Sequence, residues 1–220
     1  MAATPPTAPD GDAPLRQATF DVELPDRPLN RLTTALRVFT VIPIAILLTT
    51  VSGTGSWTAG SGDGGVWLAA GGPGLLFAPV LLMLVFREKY PRWWFEFNRE
   101  LMRFSARVGV YFVLLTDVYP STDEPQNVRL ELPEPDTAHL NRWLPLVKWL
   151  LVIPHVIVLL FLWLGALVAV IAAWFAILFT GRYPRALAEY VIGVGRWYTR
   201  VVAYAFALVT DDYPPFRLAP

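Results

Sequence analysis

The chain has 220 residues, 55% hydrophobic and only 16% charged, and its 18 basic and 18 acidic side chains balance to zero net charge. That balance excludes a nucleic-acid partner held by a basic surface. The absence of cysteine excludes disulfides, thiolate nucleophiles and Cys-based metal sites, and two histidines make no metal or cofactor site.

Residues 1–17, rich in Ala, Pro and Thr, lack the basic and apolar regions of a signal peptide and read as a disordered cytoplasmic tail. Residues 18–24 (ATFDVEL) alternate apolar and polar up to Pro25, the pattern of a short strand. An apolar span is predicted near 36–52, kinked by Pro43, then a polar loop over 53–65 with no Lys or Arg. A second span is predicted near 66–86, softened by Gly71-Gly72-Pro73-Gly74, and Arg87-Glu88-Lys89-Tyr90-Pro91-Arg92 forms a basic return. Residues 93–116 place Glu96, Arg99, Glu100, Arg103 and Arg107 on one helical face. That is the pattern of an amphipathic helix in the headgroup region.

A second strand is predicted at 128–132 (VRLEL), ending at Pro133. Residues 147–179 then run for more than thirty positions with no formal charge after Lys148, which requires lipid as solvent. Arg142 and Lys148 precede this run, and Arg182 and Arg185 follow it. The positive-inside rule therefore favours two spans, near 144–162 and 164–180, turning at Trp163-Leu164-Gly165. A second amphipathic helix is predicted at 186–209, carrying Arg196 and Arg200. Both termini fall on the cytoplasmic side in this reading.

The two halves repeat each other. Val22-Glu23-Leu24-Pro25 matches Leu130-Glu131-Leu132-Pro133, and Leu29-Asn30-Arg31 with Arg37 matches Leu140-Asn141-Arg142 with Lys148. Tyr90-Pro91-Arg92 matches Tyr183-Pro184-Arg185, Arg103 and Arg107 match Arg196 and Arg200, and Thr116-Asp117 matches Thr210-Asp211. The predicted fold is therefore an all-α integral membrane protein of two parallel repeats, 18–120 and 121–220. Each repeat is a transmembrane hairpin plus an amphipathic interfacial helix, with one short strand that could pair with its counterpart.

Ile153-Pro154-His155, the run WFAILFTGRYPR at 174–185 and LVTDDYPPF at 208–216 resemble a bacterial membrane family catalogued as domain of unknown function 4389, here in two tandem copies. The resemblance implies a multi-pass protein of the bacterial inner (plasma) membrane and supplies no activity.

Three sets of residues are candidates for chemistry. His155 is the one ionisable group inside the long apolar run, either a proton or ligand group or an imidazole satisfying carbonyls loosened by Pro154. Arg103, Arg107, Arg196 and Arg200 offer a weak lipid-headgroup or phosphate site, the plainer alternative being snorkelling cations of the positive-inside pattern. Asp117, Asp211 and Asp212 read as turn residues rather than paired catalytic acids. No catalytic residues are assigned. The expected function is a non-enzymatic accessory or scaffold protein binding membrane lipids, anionic headgroups, a membrane-protein partner or a second copy. A small oligomeric transporter or channel with His155 near its path ranks second, and a lipid-modifying enzyme third.

Overall fold

The structure, a computed structural model, describes residues 17–25, 27–52, 74–87, 90–122, 124, 126–135 and 143–219. The expected tail over 1–16, the loop 53–65, the segment 66–73 with Gly71-Gly72-Pro73, and Leu140-Asn141-Arg142 lie outside the described residues. In chain order the elements are β1 (Thr19–Val22), α1 (Arg31–Ala35), α2 (Arg37–Ser52), α3 (Gly74–Arg87), α4 (Arg92–Phe112), β2 (Val128–Glu131), α5 (Leu144–Thr180) and α6 (Arg185–Ala205).

Both expected strands form, and they pair antiparallel with Phe20 opposite Leu130 and Val22 opposite Val128. Alternation puts Val22 and Leu130 inward while Asp21 and Arg129 face out. The chain is thus mostly helical with a small two-stranded sheet.

The predicted turn at Trp163-Leu164-Gly165 is corrected: α5 runs unbroken through it for 37 residues, roughly 55 Å at about 1.5 Å per residue. It ends only at Gly181, which takes the left-handed cap conformation (φ 75°). Two physical reasons account for the difference. Gly165 stands alone, with no turn-forming neighbour, and its bare Cα serves packing. The Tyr190 hydroxyl lies 2.5 Å from where a Cβ would sit and donates to the Leu162 carbonyl at 3.1 Å. Lys148, one of the charges that favoured a return, is 0% exposed and paired with Asp211. A neutralised, buried cation carries no orientation signal. Among the described residues α5 is the one helix long and apolar enough to cross a membrane.

The helices expected over 93–116 and 186–209 stop earlier, at Phe112 and Ala205. Leu114 and Leu208 then adopt positive φ of 68° and 54°. A left-handed non-glycine residue costs about 1–2 kcal/mol, but each leucine is buried in return. Leu114 packs with Leu29 and Ile177, and Leu208 with Val80 and Leu84. Burying a leucine gains about 1.5–3 kcal/mol, enough to hold the turn.

These elements stack in three layers. On α6, Ala188, Ile192 and Gly195 meet Val22 and Phe20 of β1. Tyr190, Trp197 and Tyr204, on the opposite face, meet Leu162, His155 and Lys148 of α5. In the first half, Phe104, Val108 and Tyr111 of α4 pack on Val41 and Ile44 of α2. Phe95 and the partly buried Met102 and Ala106 face Leu130 and Leu132. The order is sheet, then α4 and α6, then α2 and α5.

Candidate functional site

Two clusters, each a buried cation and tyrosine with one carboxylate and a second, exposed tyrosine, sit where α2 and α5 begin. In the first, Arg37 Nη2 lies 2.8 Å from Asp117 Oδ1 and Nη1 donates to the Thr116 carbonyl at 2.8 Å. The guanidinium carbon stacks 3.9 Å from the Tyr111 ring centroid. Asp117 also accepts from the Asn30 amide at 2.7 Å and the Thr33 hydroxyl at 3.3 Å, which ties the start of α1 to the end of α4. In the second, Lys148 Nζ lies 2.7 Å from Asp211 Oδ1, donates to the Thr210 carbonyl at 2.7 Å and sits 4.7 Å from the Tyr204 centroid. Tyr119 and Tyr213 meet Tyr111 and Tyr204 edge-on at 5.6 and 5.7 Å.

Sequence reasoning gave Asp117 and Asp211 to the turns and missed these pairs. The turns are instead made by threonine: the Thr116 and Thr210 hydroxyls accept from the amides of Val118 and Asp212. A signal was present, because a base (Arg37, Lys148) and an acid (Asp117, Asp211) recur at corresponding places in both halves.

The four arginines expected to bind lipid or phosphate are placed on internal carbonyls. Arg107 donates to the carbonyls of Glu124 at 2.8 Å and Thr122 at 3.0 Å. Arg200 donates to those of Arg217 and Ala219, fastening the C-terminal segment. Burial, and then the charges of Arg217 and Arg196, lower the pKa of Arg200. Arg103 Nε donates to the Leu130 carbonyl at 3.0 Å, and Arg196 Nε to the Phe20 carbonyl at 3.2 Å. These last two cap outward carbonyls of the two strands, groups that would otherwise invite a further strand.

Eight other arginines are exposed among the described residues: Arg27, Arg31, Arg87, Arg92, Arg129, Arg182, Arg185 and Arg217. Arg31 lies within 4 Å of a Cβ position at Gly181, so Arg31 joins Arg182 and Arg185 at the C-terminal end of α5. No salt bridge forms on these three among the described residues, in contrast to Arg37, Arg92, Arg99, Arg103, Arg129 and Arg196.

His155 is 0% exposed inside an aromatic box. Its ring stacks on Phe216 (centroids 4.0 Å, 15°), with Tyr213 at 4.8 Å. Trp197 Nε1 donates to His155 Nδ1 at 3.0 Å. Because an indole nitrogen only donates, Nδ1 is bare and Nε2 holds the proton of the neutral ring. Nε2 finds no acceptor among the described residues. The hydrogen bond from Trp197 makes a specific prediction. His155→Gln supplies a carbonyl for the indole and should melt close to the wild type, whereas His155→Leu strands that donor and should cost about 1–3 kcal/mol. Equal melting of the two variants in detergent would refute this role.

Among the described residues no three His, Cys, Asp or Glu side chains come together as a metal site. The buried carboxylates face cations, and those cations face backbone oxygens; such an arrangement fixes chain segments in place.

A family model described as a domain of unknown function (DUF4389) matches residues 143–217, a single copy spanning α5, α6 and the segment after it. No curated protein and no solved structure matches the chain.

Proposed function

We propose that this chain is a non-enzymatic accessory or scaffold protein of the bacterial inner membrane, built from two tandem copies of one unit. The observation that carries the membrane reading is the outer face of α5. Phe161 is 69% exposed and Phe179 77%, with Leu150, Leu160, Leu164 and Val168 exposed between and beside them. An apolar face of that length is far larger than a water-soluble monomer leaves uncovered. The non-enzymatic reading is supported by the use of the buried charged groups as internal fasteners. The tandem reading is supported by the matching atoms of the Arg37 and Lys148 clusters, and by Leu114 and Leu208 sharing one backbone conformation. A transporter with His155 near its path is disfavoured by the closed aromatic box around that ring.

Two measurements test this. Alkaline carbonate washing of cell membranes should leave the full chain in the pellet, and its release into the wash would overturn the membrane reading. Both termini belong on the cytoplasmic side, so single cysteines at Ser121 and Ala219 should escape an impermeant maleimide in intact cells. The chain has no native cysteine to obscure the result.

A further inference from the structure

We infer that the chain beds in one leaflet of the bilayer with α5 lying along the membrane plane, its partner being the acyl chains and anionic headgroups of that leaflet. The inference rests on the membrane reading above and specifies its geometry.

The position of the sheet relative to α5 decides between lying and crossing. Tyr190 bonds the carbonyl of Leu162, so that point of α6 stands beside the midpoint of α5. Trp197 stands beside His155, one-third of the way along. β1 packs on α6 over this same stretch, with Phe20 against Gly195 and the Phe20 carbonyl and Asp21 carboxylate on Arg196. The exposed charges of the sheet therefore flank the middle of α5: Asp21 with Arg196 at 2.6 Å, and Glu23 with Arg129 at 2.5 Å.

If α5 crossed along the membrane normal, those four charges would sit near the centre of a hydrocarbon core about 30 Å thick. Charges at that depth are expensive and rare. With α5 in the plane the conflict disappears, because the sheet lies on the far side of α6 from α5. Every sheet charge then points to water, and the whole outer face of α5 points to lipid. The same orientation serves the first half, where Phe39 and Ile46 of α2 are exposed in the layer opposite β2. Antiparallel strands are related by a two-fold axis perpendicular to their sheet. That axis becomes the membrane normal and sets both copies at equal depth.

Charge complementarity identifies the headgroups. Arg31, Arg182 and Arg185 stand where α5 ends, close in sequence to the exposed Phe179. An in-plane helix brings this end to the phosphate level, where the guanidinium groups are drawn to an anionic leaflet.

The test uses the full chain in vesicles of phosphatidylglycerol and phosphatidylcholine, spin-labelled at single cysteines replacing Leu150, Leu164, Phe179 or Glu23. Depth is read from relative accessibility to oxygen and to a water-soluble nickel chelate. The in-plane arrangement requires Leu150, Leu164 and Phe179 labels within about 5 Å of one depth, with Glu23 accessible to the chelate. A crossing helix instead puts Leu164 about 20 Å deeper than the other two, at 1.5 Å per residue and ordinary tilt, and that outcome would overturn the inference. Chelate access at all four positions, or failure of the protein to float with vesicles, would overturn the membrane reading itself.

Discussion

Replacing Asp117 with alanine is expected to lower the stability of the folded chain by about 3–5 kcal/mol, the usual cost of breaking a buried ion pair from one side. Arg37 and Asp117 are only 3% and 9% exposed as side chains, so the orphaned guanidinium has little water to turn to. It would keep the Thr116 carbonyl and the Tyr111 ring, which do not neutralise it. Removing Arg37 as well should recover part of the loss, so Arg37→Met/Asp117→Ala is expected to melt above Asp117→Ala alone. Arg37→Lys should be milder than either, because Lys148 makes the corresponding bonds to Thr210 and Asp211 through one nitrogen. Thermal melts of the three variants and the wild type in one detergent check the order. A double variant no more stable than Asp117→Ala would mean that the carboxylate acts through Asn30 and Thr33, holding the start of α1, rather than through Arg37.

The sequence was most legible where short-range chemistry governs. Alternation before Pro25 and Pro133 located both strands, and the recurring Leu-Glu-Leu and Val-Glu-Leu cores made their pairing plausible. It was least legible where burial changes what a charge means. Lys148 looks in sequence like a solvated cation flanking a span, and only the fold reveals Asp211, 63 positions later, neutralising it. The i, i+4 spacing of Arg103 and Arg107 places both on one helical side but cannot say what covers that side. The cover is β2 for one and the segment around Thr122 and Glu124 for the other. Gly165 illustrates the same limit, since a glycine that ends a helix and one that admits a tyrosine hydroxyl look alike in a sequence.

The second large effect expected is that Phe20→Ala loosens α6 more than it loosens α4, although α4 lies far closer in sequence. β1 opens the first half of the chain, yet its Phe20 ring presses on Gly195, and its carbonyl accepts from Arg196 in the second half. Conversely β2, which opens the second half, is held by Arg103 of the first half. The Leu29 amide bonds the Gly181 carbonyl and the Trp174 indole bonds the Thr34 carbonyl, extending the exchange to the far end of α5. Each half is thus held in part by the strand of the other. Truncating a fully buried phenylalanine costs about 3–5 kcal/mol; for the half-buried Phe20 about 2 kcal/mol is appropriate, near a 30-fold rise in local opening. Hydrogen exchange of the reconstituted full chain should register that rise first in α6, with Arg196→Met producing a smaller change at the same amides. If α4 exchanged faster while α6 held its protection, the two halves would be self-contained and their interlocking would be wrong.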